Sequence, residues 1–200
     1  ISLNGTTVSI DQIELPEDVH QTLALIEGEL SQTGKDEKGN ELVPASRTVI
    51  LGHQRRVQEP YKIMRVVEKT KTALDNGEQV VIFAARVNDS NVDQRSILGF
   101  DTDGIPIFDR KTIIATEGTM RKLHSALVDA GIPASEIAEI HGGVPATAAD
   151  EAARFQSGKA KVVIATIESG GTGINLDDAT GGAPRRMIVM TPPFSGLTNM

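Results

Sequence analysis

The residues best suited to chemistry stand together in residues 161–176. Thr166 and Ser169 supply hydroxyls, Gly170, Gly171 and Gly173 leave their backbone amides unshielded, and Asn175 adds a carboxamide. Backbone amides in such a glycine-rich loop can bind phosphate oxygens. Just upstream, Val162, Val163 and Ile164 show no polar alternation, so they read as a buried parallel strand that delivers the loop. On the residues alone, an ordinary glycine turn remains open. A dinucleotide fingerprint fits less well: after Gly171 and Gly173, Leu176 occupies the place where a third small residue should let a helix pack closely. The Gly- and Pro-containing residues 177–184 then offer no long helix.

Other candidates are sparser. Arg86 ends a second apolar run that begins at Gln79, and His141 with Gly142 and Gly143 ends a third that begins at Ile137. Gly34-Lys35-Asp36 and Gly158-Lys159-Ala160 lack the remainder of a phosphate loop, and Asp101, Asp103 and Asp109 lack the twelfth-position glutamate of a calcium loop. Asp150 and Glu151 do not end an apolar strand, so they are assigned to the first turn of a helix rather than to a metal site. His124 lies on an apolar helical stripe and reads as a packed histidine; Arg55 and Arg56 read as a solvated basic pair.

The elements that must position these groups follow from periodicity. Pro16, Glu17 and Asp18 open a helix carrying Val19, Leu23, Ile26 and Leu30 on one face. Residues 33–40 read as a charged loop. A second helix from Pro60 presents Ile63, Val66, Val67 and Leu74 and stops at Asn76-Gly77, directly before the strand starting at Gln79. Residues 88–118 interrupt the pattern and read as an inserted β-hairpin turning at Asp103-Gly104, dispensable for the core. Thr119 caps a helix with Met120, Leu123, Leu127 and Val128 inward and Gly131 closing it, and Thr147 caps another with Ala148, Ala152 and Phe155 inward. Strands alternating with helices predict an open, mostly parallel α/β sheet with helices on both faces, whose ligand loops share the carboxyl edge.

Composition narrows the function classes. No Cys excludes disulfides and thiolate chemistry, and no Trp, one Tyr and five Phe argue against base-stacking platforms. A net charge of −7 argues against a protein that coats nucleic acid, though not against a motor domain that touches few phosphates. No apolar run reaches the roughly 18 residues of a membrane span, and the polar start is unlike a signal peptide, so a soluble, cytoplasmic protein is expected.

Taken in order, residues 60–200 resemble the second RecA-like domain of superfamily 2 helicases and Swi/Snf-type translocases. Thr166 followed by Gly170-Gly171-x-Gly173-Ile174-Asn175 is similar to their motif V, and the helix from Pro60 leading into Val80-Val81-Ile82-Phe83 looks like the approach to motif IV. The His141-Gly142 turn and the Phe155-x-x-Gly158 turn fall in the family's order. Arg185-Arg186, the strand after them and the Pro193-Phe194-Ser195 corner look most like strawberry-notch-type helicases. The chain ends before a motif VI helix, and the insertion at 88–118 departs from the compact family pattern.

The resemblance implies a RecA-like sheet in 60–200, preceded by a helical extension in 1–59. It implies that Thr166, Ser169, Gly170, His141, Gly142 and Arg86 face a DNA or RNA backbone, and that Gly171, Gly173 and Asn175 approach a nucleotide. ATP and Mg²⁺ would be held chiefly by an N-terminal RecA-like domain of the same polypeptide, which would supply the phosphate loop and metal carboxylates. The chain is expected to be part of something longer and to hydrolyse no ATP alone. Two other outcomes stay open: a non-catalytic RecA-like binding module, and a stand-alone Rossmann-like nucleotide-binding enzyme.

Overall fold

The computed structural model describes residues 2–3, 6–7, 9–84, 90–116, 118–141, 145–166, 176 and 182–190. A short antiparallel ladder of β1 (Ser2–Leu3) and β2 (Thr6–Thr7) precedes α1 (Glu17–Leu30). Then come β3 (Gly34–Asp36), β4 (Glu41–Leu42), α2 (Arg47–Asp75) and β5 (Gln79–Ala84). The hairpin strands β6 (Ser90–Phe100) and β7 (Pro106–Thr116) lead to α3 (Thr119–Asp129), β8 (Ile137–Ile140), α4 (Pro145–Gln156), β9 (Val162–Thr166) and β10 (Arg185–Val189). Among the described residues no helix is long and apolar enough to cross a membrane.

The α/β expectation holds. β10, β5, β9 and β8 form one sheet in that order, every pair parallel. Strand alternation sends Val80, Ile82, Ala84, Ile137, Val162 and Ile164 to one face, where Ile63, Val66 and Val67 of α2 and Met120, Leu123 and Leu127 of α3 cover them. Val81, Ala138, Ile140, Val163 and Ala165 face the other way and are covered by Ala152 and Phe155 of α4. Both faces of β5 and β9 are therefore dry, which is why their sequences are continuous apolar runs rather than alternating ones.

A second sheet, of order β4-β3-β7-β6, joins the hairpin to the N-terminal region. The hairpin is present as expected, but it is not a free excursion: β7 pairs in parallel with β3 through Lys35–Ile107 and Asp36–Phe108. Residues 33–40 are thus a strand and tight turn rather than a loop. Asp36 and Asp101 build similar turns, each carboxylate accepting two backbone amides, from Lys38 and Asn40 in one case and Asp103 and Ile105 in the other. Lys35 donates to Asp101 at 2.7 Å and ties the two turns together.

Three local expectations are corrected. α2 does not begin at Pro60 but at Arg47, capped by Ser46, and runs straight through the proline, across the expected extension boundary at 59/60. Pro60 removes one helical hydrogen bond at a cost of about 3 kcal/mol, offset by packing on both sides: Ile50 against Ile26 and Leu30 of α1 ahead of it, and Ile63 to Val67 under the parallel sheet behind it. α4 begins at Pro145 rather than after Thr147, which places Asp150 and Glu151 past the first turn, with Glu151 paired to Arg154. Val128 is an exposed residue of α3, not an inward one.

Candidate functional site

Four parallel strands end on one edge of the sheet, at Ala84, Ile140, Thr166 and Val189. Ala84 and Thr166 are register partners on adjacent strands. Beyond β5, α3 packs on the first face, and beyond β9, Leu176 packs on the second face beside the α4 core. Open α/β sheets take their ligands at this carboxyl edge.

Of the expected site residues, Thr166 and His141 are described, and both lie at this edge. Ile140 pairs with Ala165, so His141 stands one step beyond that rung and level with Thr166. Thr166 is buried, 5% exposed, and makes a polar interaction. His141 is half-buried, and its Nδ1 has no hydrogen-bond partner among the described residues. Arg86, Gly142, Ser169, Gly170, Gly171, Gly173 and Asn175 lie outside the described residues.

The same edge carries further polar groups. Thr119, expected as a cap, is instead the first residue of α3, and its hydroxyl donates to Glu59 Oε2 at 2.9 Å with both side chains buried. Lys62 donates to the carbonyl oxygen of Met190, just past β10, at 2.9 Å. Burial pushes the Lys62 ammonium below the usual lysine range; the Glu59 carboxylate opposes that shift and Arg55 adds to it. Burial likewise lowers Arg55, against the pull of Glu59, so Arg55 is not the solvated residue expected, and Arg56 is half-buried too. A signal was available: Arg55, Glu59 and Lys62 fall at helical spacing on the stripe that continues into Val66.

Other candidates have structural roles. Arg185 stacks on the Phe155 ring at 4.3 Å and donates to the Leu176 carbonyl and Gln156, while Arg186 makes a two-pronged pair with Glu78. Both arginines stand at or near the start of β10, away from the carboxyl edge. His124 is partly buried on α3, its Nδ1 2.7 Å from Glu139. A cavity of about 620 Å³ also opens near the strand starts, lined by Lys71, Gly77, Gly131, Gly158 and Lys161 among others, and includes none of the expected site residues. Among the described residues no group of acidic or histidine side chains could hold a metal ion. Comparison of the chain with protein families, with curated proteins and with solved structures finds no match.

Proposed function

We propose that the chain is the second RecA-like half of an ATP-dependent nucleic-acid helicase or translocase. In this reading the carboxyl edge grips a DNA or RNA backbone, and the loop after Thr166 closes over ATP held, with Mg²⁺, chiefly by a partner domain. One observation supports it most: the strand order β10-β5-β9-β8 brings Thr166, which opens the glycine-rich stretch, level with His141, which opens the His-Gly-Gly stretch. These two segments end consecutive strands joined through α4, and a backbone-gripping edge needs them side by side. Hydroxyl and amide donors at such an edge position a phosphate backbone without reading bases, and they need no basic surface, in keeping with the net charge of −7.

ATP would supply a bond whose hydrolysis changes how the two halves close. This chain's own residues would orient the strand and close over the nucleotide. The experiment is ATP hydrolysis by the product of the full open reading frame, with and without oligo(dT) or oligo(U), beside the 200-residue chain alone. The expected result is nucleic-acid-stimulated turnover by the former and none by the latter. Turnover by the isolated chain, or no response to either oligonucleotide in the full product, overturns the proposal.

A further inference from the structure

α2 changes its surroundings halfway along. Ahead of Pro60 it packs on α1, and behind it the same helix enters the core of the parallel sheet. At that junction lies Glu59, only 1% exposed, in the turn that also carries Lys62. A buried carboxylate is costly unless hydrogen-bonded and paired, and apolar side chains often fill such positions with no loss of stability. What Glu59 and Lys62 supply is placement.

Its two observed hydrogen bonds define that placement. Thr119 ties Glu59 to the first turn of α3, and Lys62 ties the following turn of α2 to Met190. Both residues take part in further interactions. Ala84 and Met190 belong to the face covered by α2 and α3, and Thr166 follows Val162 and Ile164 onto it by strand alternation. Glu59 and Lys62 therefore sit over the face and edge that carry Thr166. The Met190 amide in turn donates to Phe83 of β5, so the tie reaches the two central strands.

We propose that Glu59 and Lys62 are positioning residues, fixing the start of α3 and the end of β10 around the carboxyl edge and coupling that edge to the front half of α2. The front half of α2 packs on α1, which leads into the second sheet, so a movement there reaches the edge through this turn. The structural part of the inference stands on the geometry alone; its consequence for nucleic acid rests on the function proposed above.

The test uses the product of the full open reading frame with Lys62→Met, which fills the same space without a donor, and Lys62→Arg, which keeps one. Hydrogen exchange is followed in residues 185–190 and 137–140, and affinity is measured for labelled oligo(dT) and oligo(U). Lys62→Met should speed exchange at the end of β10 roughly tenfold, leave β8 unchanged and weaken oligonucleotide binding roughly tenfold, while Lys62→Arg should recover most of both. Unchanged exchange at residues 185–190, or equal acceleration in β8, overturns the positioning role. If the wild-type protein binds neither oligonucleotide, the function proposed above fails, and the exchange result still decides the positioning.

Discussion

Gly34 lies against the ring of Phe108: a Cβ at position 34 would fall on the ring and within 2.6 Å of the Pro106 carbonyl oxygen. Phe108 is fully buried, so this contact joins the N-terminal region to the hairpin and makes one sheet of two distant segments. Gly34→Ala should therefore destabilise the protein by about 1–3 kcal/mol through overpacking, whereas alanine at Gly28, where a Cβ meets nothing within 4 Å, should not. Urea unfolding of both variants checks this. Equal midpoints would show that the second sheet gives way at no cost.

Thr119 and Glu59 supply a second contrast. Thr119→Val keeps the shape but removes one donor from a buried carboxylate, which costs about 1–3 kcal/mol; Thr119→Ser keeps the hydroxyl and should cost clearly less. The midpoint should shift without a change in denaturant slope. A loss for Thr119→Val no greater than that for Thr119→Ser would show that the hydrogen bond to Glu59 contributes nothing net at this contact.

These two contacts mark where the sequence stops being informative. β5 and β9 were legible because a strand covered on both faces must be apolar throughout, and α3 and α4 because one covered face imposes the helical period. β3 was not: Gly34, Lys35 and Asp36 carry no strand signal, and their pairing depends on the ring of Phe108 and the Lys35–Asp101 pair, which only the folded chain brings together. The helix through Pro60 ran against the local rule because packing on both sides outweighs one lost hydrogen bond. At the candidate site, strand ends were enough to place Thr166 and His141 on one edge. Glu59 and Lys62 escaped notice because charged side chains are ordinarily assigned to solvent.

Acid should weaken the fold in part through a defined set of carboxylates, each contributing modestly because it is at least partly exposed to solvent. Hydrogen bonding to Arg186 holds Glu78 below the usual carboxylate range, Lys35 does the same for Asp101, Asn40 for Asp36, and Lys69 for Asp11. Each folded-state value lies below the unfolded one, so their contribution is fully present above the ordinary carboxyl range and is lost as pH falls through the lowered values. The melting temperature should thus begin to drop below about pH 4. Glu78→Gln combined with Lys35→Met should lower stability at neutral pH and flatten the acid limb; a limb as steep as wild type would remove these pairs as its cause.

The glycine-rich stretch and the strand end before it should respond differently to substitution. Thr166→Val is nearly isosteric and removes a hydroxyl at the buried end of β9, so the fold should persist while any contact from that hydroxyl to a phosphate is lost. Gly173→Val adds a branched side chain in the loop read as approaching the nucleotide, where it would block the backbone amides rather than delete one donor. In the product of the full open reading frame, Thr166→Val should weaken apparent nucleic-acid affinity roughly tenfold to a hundredfold, the effect of about 1–3 kcal/mol, while leaving unstimulated ATP hydrolysis largely intact. Gly173→Val should abolish nucleic-acid-stimulated hydrolysis. Measuring both rates for both variants separates grip from closure: full stimulation in a folded Gly173→Val protein would make the loop an ordinary turn, and unchanged affinity in Thr166→Val would take the strand end out of the interface.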